Sequence, residues 1–371
     1  MKGIKNIAVE TVTAGFIEDC VIIYDKTINY IGSLSDAPDF AEEIEWTDGN
    51  GQIVFPGFID VHTHLGIDEE GVGKEGDDFN ETSNPITPHL RAIDGINSFD
   101  SGYYRALKAG ITTVQVLPGS ANVIGGLTAI IKVKPDRPIE QQCIKSPAAL
   151  KIAFGENPKR FHANNGVVTR MGVAAKIREA FWRAKNCPPQ SLAEQALADV
   201  FADDLPVRAH AHRADDILTA IRIADEFGFA LSIEHATDGI RIVDQIKASG
   251  YNVVVGPTAT GKSKVELANQ SWDTYQAFER AGIPFAITTD HPVIPIEELL
   301  TAVRHAIAHG LSEEAALKSI TIQAAKHLGI DDCVGSIEVG KDADFVLWSA
   351  SPFDNFRAKA TTVIIDGETI Q

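Results

Sequence analysis

Short runs of alternating apolar and polar residues occupy both ends of the chain, at 4–12, 20–24 and 28–31 and again at 344–348 and 362–365. Turn-forming residues separate them, as expected of strands, and Asp366-Gly367 reads as a hairpin turn. Two β-rich ends around a different middle predict that both termini pair into one small β-domain, covering 1–53 and 334–371.

Between these ends the period changes. Helical stretches close on a glycine and an apolar run follows at once, as at Gly110, Gly228, Gly250 and Gly282. A helix often ends in a left-handed residue, which glycine adopts without a Cβ clash. Helices are also expected near 171–185 and 191–202. Eight strand runs result, at 53–61, 111–117, 127–133, 149–154, 206–211, 229–233, 251–255 and 283–287. They are nearly continuous in apolar character, which suits strands buried on both faces of a parallel sheet. Eight units favour closure, so the expected fold is α/β: a (β/α)8 barrel over 54–333 carrying a small β-sandwich domain built from both termini. Function would then sit on the loops that follow the strands.

The 371 residues, 44% hydrophobic and 23% charged, suffice for a barrel plus a smaller domain. A formal net charge of -18 argues against nucleic acid or an anionic membrane as partner, because the summed field repels phosphate. The four cysteines, Cys20, Cys143, Cys187 and Cys333, are far apart and suggest neither a disulfide framework nor a zinc knuckle. With no apolar signal region and no run long enough for a bilayer, a cytoplasmic location is expected, with a small-molecule substrate and room for a homo-oligomer.

The chemistry concentrates at strand ends. His62-Thr63-His64 closes the first run, and residues i and i+2 of a strand point to the same side, so both imidazoles can reach one ion. His210-Ala211-His212 repeats the spacing after the fifth run, His235 ends the sixth and Asp290 the eighth. Any one could be a polar residue closing a strand. Together they bring imidazoles and a carboxylate to one rim, the ligand set of a borderline divalent metal such as zinc.

With those residues in view, the chain resembles the amidohydrolase superfamily, in its imidazolonepropionase-like and Xaa-Pro dipeptidase-like branches. The resemblance is carried by the stretch 55–64, by His210-Ala211-His212, Glu234-His235-Ala236 and Thr289-Asp290-His291, and by the segment 335–346 of the β-domain. It implies a TIM barrel, with His62, His64, His210, His235 and Asp290 as ligands of one or two ions: zinc first, then manganese, iron or cobalt. It leaves His212 to contact substrate or support a ligand. The implied reaction is hydrolysis of an amide or cyclic amide C–N bond by metal-activated water, with Asp290 moving the proton and His291 steadying the oxyanion or orienting substrate. An Xaa-Pro-type dipeptidase is the nearest rival, and a non-catalytic binding or assembly protein on the same scaffold is the rival from another class. The segment 155–160 and the helices after it do not resemble imidazolonepropionase itself and are expected to shape a different pocket.

Two sites stay open at this level. On the fourth run, Lys151 would need carboxylation to serve as a ligand, whereas Glu156 is already anionic, which favours Glu156. Residues 256–263 match a phosphate-binding loop, yet no helix follows directly, so a loop over the active site is the expectation. The glycines between Gly119 and Gly126 could admit a ligand to the backbone or merely form turns.

Overall fold

The computed structural model describes residues 1–40 and 43–371. Strands from both ends of the chain form one seven-stranded sheet. Its seam is the antiparallel pairing of Glu45–Pro56 with Phe345–Trp348, in which Phe345 lies opposite Pro56. The period of two divides the C-terminal strands between two cores. Phe345, Leu347 and Ile364 enter the core of the sheet domain, while Val346, Trp348, Val363 and Ile365 pack into the core of the central domain. The strand Glu45–Pro56 runs past the expected break at residue 53. It stops at Gly57, where a Cβ would lie 1.9 Å from Thr112 Oγ1, so no larger residue fits the turn into the next strand.

The central domain is a TIM-barrel-like α/β arrangement. Phe58–Thr63 and Ile111–Val116, the first and second strands, pair in parallel. The fourth to eighth, Leu150–Ala153, Val207–Ala211, Leu231–His235, Asn252–Val255 and Phe285–Ile287, form a parallel run. Gly228, Gly250 and Gly282 cap the intervening helices in the left-handed conformation. Helices Arg170–Asn186 and Leu192–Ala202 lie close to their predicted bounds. No helix among the described residues is long and apolar enough to cross a membrane.

The third strand departs from the expected parallel order. It breaks at Thr128 into Ile124–Leu127, antiparallel to the fourth strand, and Ala129–Lys132, antiparallel to the second. A parallel partner needs a crossover of roughly a dozen residues or more. The stretch 117–123 contains no helix and is too short for one, so the chain can only return antiparallel. Between the eighth strand and the first no strand ladder forms among the described residues; His64 N–H donates to the His291 carbonyl there at 2.8 Å.

The sheet domain and the barrel-like domain meet around a buried lysine. Lys132 Nζ lies 2.6 Å from Asp342 and 3.1 Å from Asp344, and also contacts Asp366. Burial raises the Asp344 carboxyl to about 6, against the opposing pull of Lys132. Lys132→Met leaves Asp342 and Asp344 without their cation, while Asp366 keeps Lys134, and losing one partner of a buried pair costs about 3–5 kcal/mol. That loss should appear as a lower urea midpoint at neutral pH. It should shrink as the pH falls through about 6 toward the ordinary 3.8, because a raised folded-state pKa means that folding takes up a proton. An equal loss at both ends of that range would show that the charge cluster is not its cause.

Candidate metal centre

Strand parity builds the site. Asp60 and His62 alternate inward on the first strand with His64 just beyond it, Lys151 on the fourth, Arg208 and His210 on the fifth with His212 just beyond it, and Glu234 on the sixth. All are buried. A buried polar atom needs a partner, and these partners decide which way each imidazole points.

His62 Nδ1 lies 2.7 Å from Glu234 Oε2. Glu234 accepts from Arg208 Nε at 2.7 Å, and Arg208 also donates to the Val61 carbonyl at 2.9 Å. Burial alone would raise the Glu234 carboxyl, but Arg208 and His62 hold it well below the usual carboxylate range. His64 Nδ1 donates to the Leu117 carbonyl at 2.7 Å, and His235 Nδ1 to the Gly256 carbonyl at 2.8 Å. In each of these three rings an acceptor takes the Nδ1 proton, which leaves the Nε2 lone pair for a cation. Burial pushes the pKa values of His62, His210, His212 and His235 below the ordinary histidine value, which keeps the rings in the neutral, ligating form.

The free nitrogens converge. His62, His235 and Asp290 can bring one ligand atom each within 4.8 Å of the others, and so can His210, His212 and His235. The Nε2 atoms of His210 and His235 are buried without a hydrogen-bond partner. Asp290 Oδ1 lies 3.3 Å from His64 Nε2 and 3.6 Å from His62 Nε2. Burial would raise the Asp290 carboxyl, but the imidazoles of His235, His64 and His62 hold it well below its usual range. Two unpaired buried nitrogens beside a carboxylate are the donor set of a divalent cation, so the residues fit a metal.

Asp290 is held from behind. The Thr288 and Thr289 hydroxyls sit 2.5 and 2.6 Å from the two oxygens of Asp60, joining the first strand to the eighth-strand loop. Burial raises the Asp60 carboxyl to about 6.

Two residues expected at the site stand apart from the cluster. The fourth-strand group in the cluster is Lys151, not Glu156. Lys151 Nζ lies 3.1 Å from His62 Nε2 and donates to the Pro118 carbonyl, and burial lowers its pKa to about 8. Glu156 lies beyond Gly155, where the chain leaves the strand at φ 86° and enters a short helix, and it does not line the cavity. His291 also lies outside the cavity lining. Its Nδ1 accepts the Ile296 N–H at 3.1 Å, and its Nε2 is close to Gly102. Burial pushes its pKa down to about 3.

Asp60, Arg208 and Glu234 were not anticipated as parts of the site. Parity could have found the first two, since each stands two residues before a predicted ligand. Glu266, in the loop after the seventh strand, lies 3.9 Å from His210 and from His212, and no period marks it in the sequence. That loop does lie over the site as expected, since Thr260, Ser263 and Lys264 line a cavity of about 560 Å3 that opens onto His62, His210 and Asp290. Its one short turn, Val265–Leu267, is no phosphate-binding helix.

Comparison with known proteins agrees with this geometry. The amidohydrolase family model matches residues 53–370. A crystal structure of an amidohydrolase from Thermotoga maritima is 39% identical over the whole of both chains, with a TM-score of 0.94. Imidazolonepropionase of Paracidovorax citrulli is 26% identical over 89% of this chain and 84% of its own length. Amidohydrolase tasK of Hapsidospora irregularis is 27% identical over 94% of this chain, which spans only 39% of that longer protein. The chain therefore belongs to the amidohydrolase family, hydrolases acting on carbon–nitrogen bonds.

Proposed function

We propose that this chain hydrolyses a C–N bond, amide or cyclic amide, of a small molecule with the help of a divalent metal, zinc in the first place. The observation that carries this reading is the set of buried imidazoles whose Nδ1 atoms are tied down while their Nε2 atoms converge beside Asp290. His62, His64, His210, His235 and Asp290 would hold the metal. When bound, such a cation lowers the pKa of water toward neutrality and polarises a carbonyl.

The protein's own groups do the rest. Asp290 takes the proton of the attacking water on a carboxylate oxygen and hands it to the departing nitrogen. Its backbone at φ 56° fixes that carboxylate beside His64 rather than along the strand. Phe79 and Phe161 offer apolar walls to the substrate, and Arg160 and Lys264 offer positive charge nearby. Lys151 is the fourth-strand ligand in this reading. Its neutral amine adds to carbon dioxide, forming an N–C bond and releasing one proton, and the resulting carbamate is anionic. The same reading takes the eight strands as one closed barrel and the terminal sheet as a sandwich folded on itself.

Exhaustive chelation should abolish turnover, and zinc, manganese or cobalt should restore it. Full turnover in protein shown to be metal-free would end the proposal. A screen over cyclic amides, N-acyl amino acids and dipeptides identifies the substrate class, and a preference for Xaa-Pro dipeptides would favour the peptidase reading. Asp290→Asn should lower kcat by ~10²–10⁴-fold, the usual contribution of a general acid–base group. A variant within about threefold of wild type, under ~0.7 kcal/mol, would remove Asp290 from the proton path. Lys151→Met should lower metal content and activity together, Glu156→Gln should leave both nearly intact, and bicarbonate should speed reconstitution of the wild-type protein. The opposite pattern would return the ligand role to Glu156.

A further inference from the structure

We infer that Asn80, Ser120 and Arg160 form an anchoring subsite made only of hydrogen-bond donors, which selects substrates carrying a carboxylate. The inference rests on the hydrolase reading above and names the class of molecule that the same cavity takes.

All three side chains line the cavity that opens onto His62, His210 and Asp290. Asn80 follows the first strand, Ser120 the second, and Arg160 belongs to the short helix Glu156–Phe161 after the fourth. Protein contacts join them in a row. Asn80 Oδ1 accepts the N–H of Ala121, the neighbour of Ser120, at 2.9 Å, and Ser120 Oγ accepts from Asn157 Nδ2 at 2.8 Å. Asn157 and Arg160 stand three residues apart on that helix and so share a face.

These contacts occupy acceptors and leave donors. The Asn80 oxygen takes a backbone N–H, so its Nδ2 has two N–H bonds to offer and meets no partner among the described residues. The Ser120 oxygen is turned to the Asn157 amide, so the hydroxyl proton points elsewhere, where no acceptor among the described residues takes it. Arg160 carries donors alone. Its guanidinium stacks on the Phe161 ring, 4.9 Å from the centroid, and pairs with no carboxylate among the described residues. Lys264 lies 3.6 Å from Glu266 Oε1, and Lys151 is held at the metal face by His62 and the Pro118 carbonyl. Arg160 is therefore the lining cation left to meet an anion.

A wall of donors with one unpaired cation suits a group that accepts and cannot donate. A carboxylate is that group, with lone pairs for about four donors and a planar edge that matches a guanidinium. An alcohol would set its own O–H against the same donors. Phe79 precedes Asn80 and its ring centroid lies 4.7 Å from that of His64, so the subsite begins one residue away from a metal-face imidazole.

The glycines that open the segment 119–126 find their use here. A Cβ on Gly119 would fall 2.4 Å from Asn80 Oδ1 and 2.6 Å from its Nδ2. The Gly119 N–H donates to the Phe79 carbonyl at 2.7 Å. Glycine thus lets the two loops meet closely enough to hold the Asn80 amide at the cavity wall.

The probes are phenylpropanoate and phenylpropanol, which share an apolar body, differ at the polar end and offer no bond to cleave. Each is titrated by calorimetry into zinc-supplemented wild type, Arg160→Met, Arg160→Lys, Ser120→Ala and Asn80→Ala, with melting temperatures to establish that every variant is folded. The readout is the ratio of the two affinities, because a general distortion of the cavity weakens both probes alike. Wild type should bind the acid ~10–100-fold more tightly than the alcohol, the usual worth of hydrogen bonds to a charged group. Arg160→Met should bring the ratio to within about threefold of unity, Arg160→Lys should restore part of it, and Ser120→Ala and Asn80→Ala should each lower it ~3–10-fold. A ratio unchanged in Arg160→Met and Ser120→Ala would overturn the inference, since the carboxylate then sits elsewhere, on the metal above all. A wild type that binds the two probes equally, or binds neither, would also overturn it. Each of these results leaves the metal-dependent hydrolase reading standing, because chelation tests that reading separately.

Discussion

Arg208, Glu234 and His62 form a buried row on which the rest of the site depends. A carboxylate with no solvent access is tolerable only beside a cation, and Arg208 supplies it at 2.7 Å while also holding the Val61 carbonyl. Three strands, the first, fifth and sixth, are thereby fixed in relative height. Glu234 Oε2, which Arg208 also reaches at 3.2 Å, accepts from His62 Nδ1, and that contact aims the Nε2 lone pair at Asp290 and Lys151. Such a network adds little net stability, because desolvation offsets most of the attraction. Removing one member strands a buried charge, so the network specifies geometry more than it stabilises the fold.

The rim above this row is strained where the chemistry is placed. His235, Ala236 and Asp290 all have positive φ, at 74°, 45° and 56°. Side chains with a Cβ adopt that region at a cost of order 1–3 kcal/mol each. The strain breaks strand parity. His235 follows the inward-facing Glu234 directly, yet both serve the site, because the backbone turns over at the strand end. Asp290 gains its place beside His64 in the same way, with Asp60 and the two threonines as the brace behind it. A surrounding sheet held by backbone ladders supplies the rigidity that keeps these residues in place.

Lys132 plays the corresponding part between the domains. The antiparallel third strand carries it to the sheet built from both termini, where Asp342, Asp344 and Asp366 surround it. Without the helix-free return after the second strand, Lys132 would not face that sheet. The irregular strand thus adds a charged link to the apolar contacts of Val346, Trp348, Val363 and Ile365 between the two domains.

Local chemistry was legible in the sequence. The period of two marked the terminal strands and paired His62 with His64 and His210 with His212; glycine after four of the helices marked where the next strand begins. Those are properties of neighbouring residues, set by Cβ geometry and backbone sterics, and no distant contact is needed to express them. What lay beyond reach depended on where distant segments arrive. The direction of the third strand depends on which strand it meets, not on its own apolar run. Lys151, not Glu156, lies beside His62 because Gly155 turns the chain out of the strand, and His291 faces Ile296 and Gly102 because the eighth-strand loop folds back. Glu266 lies in a loop without periodicity, and only tertiary folding carries it to His210 and His212. The sequence by itself determined which groups could bind a cation; packing decided which of them point at one another, because a side chain's direction depends on the partner that satisfies its other polar atom.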